Sequence, residues 1–137
     1  MRNGWMKNSH RVFVYGTLKR GNRIRGLDSM GDAEFVGEAI TTEARFTLYD
    51  LGAFPAASIR GHNRISGEVW AVNDQLFELL DEIEGYPLFY SRDQVSTTQG
   101  TAWIYHIIDI DQYAADPVTG TDQPEGTVQW NPKQLTR

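Results

Sequence analysis

The chain contains no cysteine among its 137 residues. That absence removes disulfide frameworks, thiolate zinc sites and cysteine nucleophiles together, and it fits a reducing compartment. No apolar run approaches the roughly 20 residues that a spanning helix needs. The segment Met1 to His10 carries Asn3, Lys7, Asn8 and Ser9 where a secretory leader would hold an apolar stretch. A cytoplasmic protein without a membrane partner is expected. Positive charge is scarce too: 13 Lys and Arg face 18 Asp and Glu, a formal net charge of −5. Nucleic acid and acidic membranes attract net positive surface, so neither is an expected partner. Histidine occurs only at 10, 62 and 106, without the mutual spacing or neighbouring carboxylates of a metal site, so no metal is expected.

What is present is ordinary globular material, 40% hydrophobic and 23% charged, at a length that suits one domain over residues 1–137. Strand signals dominate. Arg11-Val12-Phe13-Val14-Tyr15 is dense in β-branched and aromatic residues and stops at Gly16. Phe35-Val36-Gly37 and Ala44-Arg45-Phe46-Thr47-Leu48 read as a second pair of strands, ended by Gly52 and Pro55. Ala57-Ser58-Ile59 suggests a short strand, and Ile65 to Val72 a longer one after the polar turn Gly61-His62-Asn63. Tyr90 to Thr97 and Thr101 to Ile108 form a hairpin pattern joined through Gln99-Gly100. From Asp109 the composition shifts to Asp, Gly, Pro, Thr and Gln, which predicts an irregular tail over 109–137. Within it Val128-Gln129-Trp130 fits either a last short strand or an indole covering the core.

One helix is predicted after Asn73 or Asp74 as N-cap. Leu76, Phe77, Leu79, Leu80 and Ile83 make its apolar stripe, and Gly85 with Pro87 ends it. Glu78, Asp81 and Glu82 fit a solvated face. Glu84 does not, because it lies seven positions after Phe77 and four after Leu80, within the apolar arc. A carboxylate desolvated there, at the negative end of a helix, is expected to have a raised pKa suited to moving protons. A frayed helix end that releases Glu84 to solvent is the alternative.

Tyr15-Gly16-Thr17-Leu18 follows the first strand, where a glycine lets backbone amides approach a ligand and form an anion-binding nest; an ordinary turn fits the same letters. Gly16 and Gly21 have phosphate-loop spacing, but Asn22 stands where that motif needs Lys. Lys19, Arg20, Arg23 and Arg25 fit a solvated loop or a steering patch for anions.

Taken in order, Tyr15-Gly16-Thr17-Leu18, Gly52-Ala53-Phe54-Pro55-Ala56, Gly67-Glu68-Val69, Leu80-Asp81-Glu82-Ile83-Glu84-Gly85 and Tyr90-Ser91-Arg92 resemble the gamma-glutamylcyclotransferase-like family, over about residues 11–108. The branch they most resemble is that of gamma-glutamylamine cyclotransferase and the plant avirulence-induced proteins. The resemblance implies an α+β fold, a small mixed β-barrel with one or two helices. It also implies an enzyme that cyclises a small gamma-glutamyl amine or amino acid to 5-oxoproline, without a cofactor. Glu84 matches the catalytic glutamate, and Tyr15, Gly16, Thr17 and Leu18 match the loop that holds the gamma-glutamyl group. Tyr90 and Arg92 are expected to position substrate or brace Glu84, with a merely packed Tyr90 and an exposed Arg92 as the alternative, and Glu68 to make a structural hydrogen bond. A non-catalytic ligand-binding module on the same fold is the rival expectation. The resemblance assigns neither the leaving amine nor the oligomeric state.

Overall fold

The computed structural model describes residues 8–16, 18–19, 27, 33–113, 115–119 and 126–130. Eight strands and one α-helix follow in the order β1 (His10–Val14), β2 (Glu34–Ile40), β3 (Phe46–Asp50), β4 (Pro55–Val72), α1 (Asp74–Glu84), β5 (Tyr90–Thr97), β6 (Gly100–Ile107), β7 (Asp116–Pro117) and β8 (Thr127–Val128). The sheet runs β5-β6-β1-β4-β3-β7, with β2 and β8 also pairing to β4. Most pairs are antiparallel, while β1 with β6 and β8 with β4 are parallel, so the sheet is mixed and curls into a half-barrel. None of the helices among the described residues is long and apolar enough to cross a membrane.

The 18-residue β4 organises everything else. Its first residues pair with β3, Arg64 and Ile65 pair with β8, and the remainder lies between β2 and β1. The expected polar turn at Gly61-His62-Asn63 is therefore an irregular stretch inside one continuous strand. The register jumps there from Thr47↔Ser58 to Phe46↔Asn63. A Cβ on Gly61 would lie 2.4 Å from the Phe46 carbonyl oxygen, so this glycine serves close strand approach rather than chain reversal. β2 and β3, the second pair of expected strands, both form, and each joins β4.

Strand β1 is buried on both faces, which accounts for its unbroken apolar run. Val12 and Val14 face one core cluster with Trp70, Leu76, Phe77, Leu80 and Tyr105; Phe13 and Tyr15 face the other, with Phe46, Leu48, Ile65 and Ile104. Helix α1 covers the first cluster. Asn73 caps it by accepting from the Leu76 N–H at 2.8 Å, and Gly85 ends it in the left-handed region at φ 69°. Leu79, expected on the buried stripe, is exposed instead. The β5–β6 hairpin closes as expected, with Thr97 opposite Gly100. The tail is less irregular than expected, since β7 and β8 dock on β3 and β4. Trp130 is both buried and hydrogen-bonded, its indole N–H donating to Asp50 Oδ1 at 3.3 Å.

Candidate active site

Where β1 ends, the chain turns tightly: the Lys19 N–H donates to the Gly16 carbonyl at 3.0 Å. That turn, the last turn of α1 and the tip of the β3–β4 hairpin converge on a cavity of about 500 Å³. Its size suits a small-molecule ligand. Tyr15, Gly16, Leu18, Glu84 and Tyr90 all line it, together with Phe13, Pro55 and Tyr105. Five residues singled out from sequence thus share one concavity, although they lie up to 75 positions apart. Thr17, the basic residues Arg20, Arg23 and Arg25, and the glycines of that loop lie outside the described residues.

Glu84 closes α1, is half-buried, and is the one charged side chain among the described lining residues. Its field reaches the surrounding phenols. Tyr15 is pushed well above the ordinary tyrosine range by burial first, then by Tyr90 and Glu84, with the Ala57 amide opposing. Tyr90 is raised by burial and then by Glu84. Tyr105 is raised by burial, by its hydrogen bond to Asp81 and by the charges of Asp81 and Glu84, against Arg92. These phenols stay neutral at physiological pH.

The two tyrosines expected to meet substrate also hold the wall together. The Tyr15 hydroxyl donates to the Tyr105 carbonyl at 2.7 Å and accepts from the Ala57 N–H at 3.1 Å. The Tyr90 hydroxyl donates to the Pro55 carbonyl at 3.2 Å. Gly16 owes its identity to Pro55: a Cβ at position 16 would lie 2.6 Å from the Pro55 ring carbons. The glycine expected to admit a ligand admits first a proline that lines the same cavity.

Arg92 takes a different place from the other expected site residues. Its Nε and Nη2 donate to Asp81 Oδ1 and Oδ2 at 2.9 and 3.1 Å, and its guanidinium sits 4.5 to 4.7 Å from the ring centres of Phe77, Tyr86 and Trp103. It is not among the lining residues. Asp81, expected on a solvated face, instead joins Arg92 to Tyr105; the sequence signal for it was the Arg eleven positions later, legible only once β5 folds back beside α1. Glu68 is buried and accepts from the Trp70 indole at 3.0 Å, the structural role expected of it. His10 contacts Asp74, and His106 meets Asp93 at 2.6 Å, one carboxylate each.

The gamma-glutamyl cyclotransferase, AIG2-like family model matches residues 12–129. The chain belongs to that family. The match runs into the tail, beyond the segment that carried the resemblance in sequence. Among gamma-glutamylcyclotransferase relatives, a candidate enzyme of Vibrio cholerae is 40% identical over 96 residues, covering 70% of this chain and 80% of that protein. A gamma-glutamylaminecyclotransferase of Rattus norvegicus is 36% identical over 89 residues, 59% of this chain and 58% of that protein. Among solved structures, an AIG2-like protein from Mus musculus superposes with TM-score 0.62 at 26% identity, covering 93% of this chain and 98% of that one. A protein of unassigned function from Pyrococcus horikoshii superposes at 0.60 with 32% identity, covering 72% and 78%. The family and its fold support gamma-glutamylcyclotransferase-like activity for this chain.

Proposed function

We propose that the protein cyclises a gamma-glutamyl amine or gamma-glutamyl amino acid to 5-oxoproline and releases the free amine. The observation that carries this reading is Glu84 in one cavity with Tyr15, Gly16 and Leu18. The reaction needs little more. The substrate's α-amino nitrogen is already tethered to its γ-carbonyl carbon, so the protein's main task is to hold the two in attacking geometry. Glu84 takes a proton from the α-ammonium; the nitrogen then attacks and a new C–N bond forms. The carbonyl oxygen becomes an oxyanion, stabilised by backbone amides of the turn after β1. As the old C–N bond breaks, Glu84 gives its proton to the leaving nitrogen; the second proton, shed by the ring nitrogen, passes through the same carboxylate to the free amine, which departs as an ammonium ion. Ring and amine together contain every atom of the substrate.

Half-burial of Glu84 and the apolar and phenolic lining support this role, since a carboxylate screened from bulk water keeps its proton exchange with the substrate. The decisive experiment incubates purified protein with gamma-glutamyl dipeptides, gamma-glutamyl alkylamines and isopeptide-linked gamma-glutamyl lysine, and measures 5-oxoproline by mass spectrometry. Release from at least one class is expected. Binding of 5-oxoproline without turnover of any class would overturn the catalytic reading in favour of a ligand-binding module.

A further inference from the structure

The mouth of the cavity is built differently from its floor. The floor is buried phenol and hydrocarbon around Glu84, whereas the opening carries two phenylalanine rings, Phe54 43% exposed and Phe89 58% exposed. They come from separate segments. Phe54 lies at the tip of the β3–β4 hairpin, where its carbonyl accepts from the Leu51 N–H at 3.0 Å. Phe89 lies in the turn after α1, where its N–H donates to the Gly85 carbonyl at 2.8 Å and its carbonyl accepts from Ile108 at 3.2 Å. Both backbones are therefore tied by hydrogen bonds, which brings both rings to the cavity lining. Half-buried Leu51, Ile83 and Tyr113 continue the apolar wall inward.

We infer that Phe54 and Phe89 clamp the leaving group, and that the preferred substrates are gamma-glutamyl amides whose nitrogen carries an uncharged hydrocarbon chain or ring. The inference rests on the cyclotransferase reading, which sets the gamma-glutamyl end against Glu84 and so sends the nitrogen substituent toward the mouth. Hydrocarbon there removes two exposed aromatic rings from water as well as itself. A carboxylate there gains nothing comparable: no cationic side chain stands among the described lining residues, and Glu84 repels a second anion. The clamp makes the amine's apolar surface, rather than its charge, the feature that is read.

Two parallel series test it. Ethyl, butyl, hexyl and benzyl gamma-glutamylamides report kcat/KM, with an aminobutyl amide as the cationic comparison. The matching monoalkylamides of glutaric acid lack the α-amino nucleophile and report Kd alone. Each added methylene is expected to raise kcat/KM and tighten Kd by about twofold to fourfold, the share of a buried CH2 that the open mouth can cover. Phe54→Ala and Phe89→Ala are each expected to flatten both trends. Indifference to chain length in both series, preference for the aminobutyl over the butyl amide, or an unchanged slope in both variants overturns the clamp. Turnover with a flat trend removes the clamp alone. A trend in Kd without any 5-oxoproline supports the clamp and removes the catalytic reading.

Discussion

The hydroxyl of Tyr105 donates to Asp81 Oδ1 at 2.6 Å, which makes a residue on the flank of α1 a support of the cavity wall. The same carboxylate is held by Arg92, and both ionic side chains are about 20% exposed. Three residues further along the helix stands Glu84. The Arg92–Asp81–Tyr105 chain thus ties α1, β5 and β6 together beside the proposed proton carrier, and the role proposed for Arg92 is positioning rather than touch.

Asp81→Asn is expected to lower stability by about 1–3 kcal/mol, because charge-assisted bonds weaken while the guanidinium remains half-enclosed. Arg92→Lys should be costly too. The ammonium keeps the charge but loses the two-pronged contact and the stacking on Phe77, Tyr86 and Trp103. Urea titration reads the stability and kcat/KM reads the site. Parent-like values for both variants would make this chain incidental.

Glu84→Gln preserves shape but cannot carry a proton, so turnover should fall by ~10² or more while the melting temperature stays near that of the parent. Glu84→Asp should remain weakly active. Since the proposed base must be ionised to accept a proton, kcat/KM of the parent is expected to rise with pH along its acidic limb, and that limb should move in the Asp variant. Addition of EDTA should leave the rate unchanged. Near-normal turnover in Glu84→Gln would make the residue structural.

The Gly16 to Pro55 contact makes a different prediction from a ligand-access role. Gly16→Ala places a methyl group where the proline ring lies, with a stability loss of about 1–3 kcal/mol from overpacking. Relief should come from the partner: the double variant Gly16→Ala, Pro55→Ala should recover part of the loss relative to the sum of the single changes. Strict additivity in a double-mutant cycle would contradict the contact.

Local signals were readable in the chain wherever neighbours along the sequence decide the outcome. The unbroken apolar run of β1, the Asn73 and Gly85 caps of α1 and the Gly100 hairpin all formed as expected. Glu84 in the arc of Phe77 and Leu80 was legible by the same helical arithmetic, and it lines the cavity. What escaped depends on partners distant in sequence. Gly61 reads as a turn until β3 lies against it, and Asp81 reads as solvated until Arg92 and Tyr105 arrive from the hairpin. The tail strands are two residues each, too short for any period, and exist only because β3 and β4 offer open edges. Phe54 stands in the Gly52-Ala53-Phe54-Pro55-Ala56 motif with no sign of what it faces, and Phe89 stands in no motif; only the cavity brings both into one lining.

Three buried phenols predict the alkaline behaviour of the fold. Tyr15, Tyr90 and Tyr105 all have pKa values raised in the folded state, chiefly by burial, whereas in the unfolded chain each should titrate near 10. Between that value and the higher folded one, the native state binds more protons than the unfolded state. The stabilisation is therefore fully present below about pH 10 and is lost as pH rises toward the folded values, at about 1.4 kcal/mol per pH unit for each phenol. Stability at neutral pH should be insensitive to this term, and the loss above pH 10 should be steep because three groups act together. Tyr90→Phe removes one of them, along with its bond to the Pro55 carbonyl, so the variant should start less stable at pH 7 yet fall with a shallower slope above pH 10. Urea unfolding midpoints measured from pH 7 to 11 in both proteins give the two slopes. Equal slopes would mean that Tyr90 does not titrate with unfolding, and that the phenol lies nearer to water than its place in the cavity wall implies.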